Sequence, residues 1–420
     1  MELDTADLLE RFCRYVRLDT RSDAHSETTP STPGQWDLLR LLEGELHQIG
    51  AGEIELTEHG YMLATLPATV GWEGAPTIAW FAHVDTATEL PGAAKPIVHR
   101  AWDGRPIVLP DDPAQVLTVE NSPQLRAAIG QDVITASGGT LLGADDKAGV
   151  AIVMAVARHL LRHPEIAHGK IRLCFNPDEE IGRGVHKLEL ARVGAVAGYT
   201  LDGESPGEID WETFSADSAA VTFRGVATHP GWAKGVMVNA LRLAGRFVAA
   251  LPMECSPECT AERDGFVHPV EIAGNSERAT VRLILRDFEL AGLAAKRAIV
   301  ERVAAEIRAT EPRAQIEVAF AEQYRNMRYW LERDLRPVEL AREAIRRAGL
   351  APVSQSIRGG TDGAQLTARG LPSPNIFTGM HAVHSPLEWV TLQDMAKSAE
   401  VLVHLAQLWG DRPRTMSTIG

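Results

Sequence analysis

The sequence predicts an α/β protein built on a mostly parallel sheet, with a smaller α+β (ferredoxin-like) domain inserted into it. Three observations carry this. Short apolar runs stop abruptly at polar clusters, a long helical segment separates two of those runs, and near Trp211 the pattern changes from continuous to alternating apolar residues. At 420 residues the chain has room for roughly two or three domains with ample core.

Residues 5–17 carry apolar side chains at helical spacing behind a Thr or Asp cap, and residues 34–49 repeat the pattern after a Thr-Pro-Ser-Thr-Pro loop. The first strong strand is Thr77-Ile78-Ala79-Trp80-Phe81-Ala82, apolar throughout as a strand buried on both faces must be, and it runs into His83-Val84-Asp85. The same design recurs at residues 170–175 before Asn176-Pro177-Asp178-Glu179-Glu180, and at residues 198–201 before Asp202. A helix of about 16 residues starting near Asp146 lies between the first two, which gives the strand, helix, strand alternation of a parallel sheet. Ligands of open parallel sheets sit at the carboxyl ends of the strands, so the polar clusters are expected to converge.

Beyond Trp211, residues 218–223 alternate as a strand, 236–251 read as an amphipathic helix, and 279–288 alternate again. A helix over 293–309 and a strand over 315–321 follow, and the segment is expected to take a β-α-β-β-α-β order, one strand of which the pattern leaves unplaced. Helix 335–348, loop 358–363, strand 375–377 and helix 392–408 then return to the first domain. The expected division is residues 1–210 with 326–420, interrupted by 211–325. Residues from Asp411 read as a frayed tail.

Charge narrows the function. With 42 Lys plus Arg against 56 Asp plus Glu, a formal charge of −14 speaks against nucleic acid or an anionic membrane as partner, since both require basic patches. The four cysteines, Cys13, Cys174, Cys255 and Cys259, are too few and scattered for a disulfide framework, which fits a reducing compartment. Cys255 and Cys259 have the spacing of a zinc clip, but no second Cys or His pair follows closely. The acidic start and an apolar run that ends at Arg158 lack the marks of a signal peptide or membrane span, so a cytoplasmic location is expected.

The polar clusters hold zinc-type ligands: His83 and Asp85, Asp145, Glu179 and Glu180, Asp202, and a histidine near residue 384. Zinc takes imidazole nitrogen and carboxylate oxygen, and a pair of ions can share a bridging carboxylate. One histidine and one terminal carboxylate per ion with a shared aspartate accounts for five of these residues. Singly, each has a plainer reading. Asp145-Asp146 suits a helix cap, His83-Val84-Asp85 suits a capped turn, and His381 and His384 suit a surface. Adjacent Glu179 and Glu180 after a buried strand repel each other, which is costly without a cation.

Together, His83-Val84-Asp85-Thr86, Gly143-Ala144-Asp145-Asp146-Lys147-Ala148-Gly149, Asn176 to Gly182, Thr200-Leu201-Asp202-Gly203 and His384-Ser385-Pro386-Leu387-Glu388 resemble the motif series of the peptidase T family, the tripeptide aminopeptidases. That family lies within the two-zinc superfamily of aminoacylases and carboxypeptidases. Thr28-Thr29-Pro30-Ser31-Thr32, His229 to Ala240, Arg286-Asp287-Phe288 and Arg358 to Gly363 extend the likeness from about residue 8 to about residue 405. The resemblance implies a catalytic domain of the zinc-exopeptidase type and a lid, with two zinc ions per chain. His83, Asp145 and Asp202 would serve one ion, and Asp145, Glu180 and His384 the other. Glu179 would be the general base, and Asp85 would orient the His83 ring. The family's final histidine is followed four positions later by Glu, which selects His384 over His381.

The resemblance also assigns His229 to the oxyanion and offers Asn239, Arg286 and Arg358 for the peptide carboxylate. The implied partner is a short peptide. A homodimer through the lid is left open by the sequence. Two readings compete: a carboxypeptidase or N-acyl amino-acid deacylase sharing every metal ligand, and a non-catalytic binding protein on the same fold, which would be expected to have lost its base.

Overall fold

In the computed structural model, residues 3–410 are described, and the segment read as a frayed tail lies outside them. Two compact units emerge. One runs to Trp211 and resumes over Trp330–Gln355 and from Thr361. The other comprises Glu212–Tyr329 and Ser356–Gly360.

The first unit is organised on a seven-stranded sheet. Ile78–His83, Ile171–Asn176, Ala197–Gly203 and Asn375–Phe377 form its parallel centre. Antiparallel strands complete it on both sides: Met62–Leu66 and then Gly52–Leu56 on one, Ile209–Asp210 on the other. Every residue of Ile78–His83 and Ile171–Asn176 is buried, which is why both read as mainly apolar; the exception in mid-strand, Arg172, is paired with Glu53 and Thr65. Helix Ala144–Arg162 packs on this sheet, and Leu392–Gly410 packs on that helix. The helix over Pro33–Ile49 starts with proline in its first turn and ends at Gly50, whose φ of 85° is the left-handed C-terminal geometry that glycine supplies at little cost.

Several elements of this unit are not predicted by the sequence. Gly52–Leu56 and Met62–Leu66 are short strands, one half-exposed and one wholly buried, and neither is long enough for periodicity to separate strand from helix. A three-stranded sheet of Trp389–Thr391, Val133–Thr135 and Ile97–His99 carries a small core of its own around Trp102 and Trp389.

The second unit is a four-stranded antiparallel sheet, ordered Phe266–Gly274, Arg278–Asp287, Ser215–Arg224, Gln315–Tyr324. Helices Ala240–Ala250 and Leu290–Thr310 cover one face, with Val221, Phe223, Phe247, Val281 and Val303 in the shared core. Phe266–Gly274 is a strand that the sequence pattern does not predict: it is an edge strand, exposed over its second half, and Pro269 interrupts its ladder. The helix expected from residue 236 begins at Ala240, because Val238 pairs with Val226 and Asn239 caps the first turn. Ser356–Ile357 pairs in parallel with Glu212–Thr213, and this draws residues 356–360, read from the sequence as part of the first unit, into the second. No helix among the described residues is long and apolar enough to cross a membrane.

Candidate active site and metal centre

Parallel pairing sets the carboxyl ends of three strands side by side, with His83 opposite Asn176 and with Asp202 near the end of Ala197–Gly203. Helix Ala144–Arg162 adds Asp145 at its start, where Asp145 and Asp146 depart from helical dihedrals after the left-handed Gly143. The loop after Asn375–Phe377 adds His384. The result is two groups of side chains, His83 with Asp145 and Asp202, and Asp145 with Glu180 and His384, whose ligand atoms within each group all lie within 4.8 Å of one another.

Asp145 belongs to both and turns one oxygen to each. Its Oδ1 is 2.9 Å from Nε2 of His83, and its Oδ2 is 3.3 Å from Nε2 of His384. His83 Nε2 is also 3.6 Å from Asp202, and His384 Nε2 is 3.0 Å from Glu180. His381 is elsewhere: its ring stacks on Trp389 at 4.4 Å and its backbone pairs with the same residue. Cys255 and Cys259 are free thiols in the second unit, and neither belongs to a metal-capable group among the described residues.

The charges explain what this cluster demands. Burial and then Asp145 push Glu180 up to about 8, and the same two causes push Asp202 up to about 6. Burial opposes ionisation of Asp145 too, yet His384 and His83 hold it below the usual carboxylate range. His384 rises to about 11 because Asp145 and Glu180 both hydrogen-bond to it. Oε1 of Glu180 is buried with no hydrogen-bond partner. Converging carboxylates, nearby imidazoles and an unpaired buried oxygen fit the donor set of divalent cations, which would replace the protons that otherwise offset the repulsion.

Glu179 stands apart from the metal-capable groups. Burial and then Asp362 lift it well above the usual carboxylate range, the direction a proton acceptor working near neutral pH requires. Asp85 does more than the sequence suggested. His83 Nδ1 lies 3.1 Å from the Asp85 carbonyl oxygen and 3.4 Å from its Oδ1. The two carboxylate oxygens also accept the backbone N–H groups of Glu179 and Glu180, at 3.0 and 3.1 Å.

The supporting roles of several residues are not visible in the sequence. Buried Glu388 accepts the N–H groups of Gly143 at 2.8 Å and Asp145 at 3.0 Å, which fixes the bend that presents Asp145. Asp146, read only as a helix cap, accepts from Gly149 N–H as a cap would, and from the His83 N–H at 3.1 Å. Asp362 accepts from Asn176, and Asn375 accepts the Asp202 N–H. Carboxylates set within apolar stretches, such as Glu388 before Trp389-Val390, were the available signal.

The four residues offered for substrate all lie in the second unit. His229 is exposed, and its Nδ1 accepts the Gly231 N–H. Asn239 caps helix Ala240–Ala250 through the Arg242 N–H. Arg286 lies over the Tyr324 ring at 5.1 Å and donates to Gln323. Arg358 donates to the carbonyls of Glu262 and Asp264 and lies over Phe214 at 5.2 Å.

Comparison with known proteins follows the same lines. Residues 133–408 match the model of peptidase family M20/M25/M40. Peptidase T of Geobacillus thermodenitrificans is 43% identical over 404 residues, 96% of this chain and 98% of the relative. Peptidase T of Listeria monocytogenes is 42% identical over 407 residues, 97% and 99% of the two chains. In fold, the chain is similar to the crystal structure of an aminopeptidase PepT from Bacillus cereus, with TM-score 0.72 at 22% identity, covering 97% of this chain and 99% of that one. It is also similar to a Bacillus subtilis protein described as a dinuclear metal binding peptidase of the M20 family, with TM-score 0.64 at 16% identity over 96% and 97% of the chains.

Proposed function

This chain belongs to peptidase family M20/M25/M40 and within it to the peptidase T family of hydrolytic aminopeptidases, and on that premise we propose that it removes the N-terminal residue of tripeptides with two zinc ions bound. The single observation that supports this most is the division of Asp145 between two ligand groups, one oxygen facing each. His83, Asp145 and Asp202 would hold one ion, and Asp145, Glu180 and His384 the other. Bound there, the ions would supply Lewis acidity toward the scissile carbonyl and lower the pKa of a water.

The chain's own residues do the rest. Glu179 accepts a proton from water as the water oxygen attacks the carbonyl carbon, and returns it to the amine nitrogen as the C–N bond breaks. Water is consumed, and an amino acid and a dipeptide are released. Asp85 keeps the His83 ring oriented and, by accepting both glutamate N–H groups, keeps Glu179 and Glu180 from exchanging places. The second unit would act as the lid. His229 would donate to the oxyanion, and Arg286, Arg358 and Asn239 would hold the peptide carboxylate. Glu212–Tyr329 also presents sheet edges at Phe266–Gly274 and Gln315–Tyr324 through which a homodimer would form.

A carboxypeptidase or deacylase would share the metal residues, so substrate decides between them. Purified zinc-loaded enzyme is expected to cleave a free-amine tripeptide and to leave its N-acetylated form intact. Preferential cleavage of the acetylated form would overturn the reading.

A further inference from the structure

The motif Thr28-Thr29-Pro30-Ser31-Thr32 has no part in the reaction just described, yet its hydrogen bonds lead directly to the catalytic turn. Asp178, which precedes Glu179, is fully buried and sits at φ 59°, a left-handed conformation uncommon for residues with a side chain, although aspartate enters it more readily than most. The holding groups come from far away in sequence. Asp178 Oδ1 accepts the Ser31 N–H at 3.0 Å, the Ser31 hydroxyl at 2.5 Å and the Gln35 side-chain amide at 2.8 Å. The Asp178 N–H donates in return to Oε1 of Gln35 at 3.2 Å. Gln35 is itself wholly buried in the first turns of helix Pro33–Ile49, so this side of the clamp is anchored in regular structure.

Asp85 grips the next two residues from another strand through the N–H groups of Glu179 and Glu180. The turn is thus fixed at three consecutive residues. Asp85 alone leaves the entry dihedral at Asp178 undetermined, and a rotation there would swing both glutamate side chains together.

We propose that Ser31 and Gln35 are positioning residues for the Glu179–Glu180 pair, acting through Asp178. The inference rests on Glu179 being the base and Glu180 a metal ligand. It gives the Thr-Pro-Ser-Thr loop a task in the reaction: to aim two adjacent carboxylates at different jobs.

The test compares Ser31→Ala, Ser31→Thr and Gln35→Met in the full zinc-loaded chain, with Tyr15→Phe as control. Tyr15 is a buried hydroxyl that donates to Glu45 in a separate network, so its loss costs stability alone. Four quantities are read: kcat and KM on a tripeptide, zinc retained after dialysis against a chelator, melting temperature, and hydrogen exchange over residues 176–182. Ser31→Ala and Gln35→Met are expected to lower kcat by about 10- to 100-fold with KM nearly unchanged, to lose zinc sooner and to exchange faster over that segment. Ser31→Thr, which keeps the hydroxyl, restores most of the turnover. Tyr15→Phe melts earlier with wild-type kcat.

Wild-type kcat and zinc retention in both Ser31→Ala and Gln35→Met would overturn the inference, as would a kcat loss no greater than that of Tyr15→Phe at equal melting temperature. If Ser31→Ala does not fold, Gln35→Met, which keeps the volume, decides alone. Glu179→Gln separates the levels. Full turnover in that variant breaks the reading of the base itself, whereas a dead Glu179→Gln beside fully active Ser31 and Gln35 variants breaks only this inference.

Discussion

The metal-capable residues of the first unit and the substrate candidates of the second differ in how much of their bonding capacity the fold has already used. In the first unit, five side chains from separate strands, a helix start and loops meet with their carboxylates in mutual repulsion, and an oxygen of Glu180 is buried without a partner. In the second, each candidate is already engaged: Asn239 in a helix cap, Arg286 with Gln323 and Tyr324, Arg358 with backbone carbonyls, His229 with the Gly231 N–H. A site left electrostatically unfinished by its own fold points to its ligand. A site whose groups are occupied does so only if binding repays the exchange of partners.

The largest effect expected of this contrast is at Asp145. Asp145→Ala removes an oxygen from each group, so both zinc ions should be lost and turnover should fall by about four orders of magnitude or more. Metal analysis of the purified variant checks this. Two tightly held ions in it would erase the distinction between the two regions.

Next is the histidine pair, which tests the boundary of the first region. His384→Ala should lower turnover by about 10³-fold and release one zinc, since a ligand is removed outright. His381→Ala loses ring stacking on Trp389, worth about 1 kcal/mol, and should stay within about tenfold of wild type. Activity measured with and without added zinc distinguishes them. The reverse ranking would move the metal centre to the other side of the loop.

The smallest effects are expected in the second unit, where they separate binding from structure. Arg286→Ala should raise KM for a tripeptide about tenfold with little change in kcat, the cost of one hydrogen bond to a charged group. Asn239→Ala removes a helix cap worth about 1 kcal/mol and should lower the melting temperature whether or not KM changes. An unchanged KM for Arg286→Ala excludes that residue from the substrate.

These contrasts also explain what the sequence disclosed. Ile78–His83, Ile171–Asn176 and Ala197–Gly203 were legible because strands buried on both faces are mainly apolar and end where the site begins. The ligand types at those ends were legible for the same reason. The choice of His384 over His381 was not, because both follow the same strand and only resemblance to a family separated them. Glu388, Asp146 and Asn375 act through backbone N–H groups on partners distant in sequence, so local spacing, even where it marks Glu388 four positions after His384, does not disclose what they hold. The edge strand Phe266–Gly274 carries Pro269 and an exposed half, and edge positions tolerate both.

The central claim is that adjacent Glu179 and Glu180 do different work, one moving a proton and one holding metal. Zinc per chain and turnover, measured together for Glu179→Gln and Glu180→Gln, test it most directly. Glu179→Gln keeps shape without basicity, so turnover should drop by about 10² to 10⁴ fold while two zinc ions remain. Glu180→Gln weakens a ligand, so one zinc should become labile and activity should recover in part at high added zinc. A Glu179→Gln that loses zinc, beside a Glu180→Gln that holds two ions and is inactive, would contradict the account.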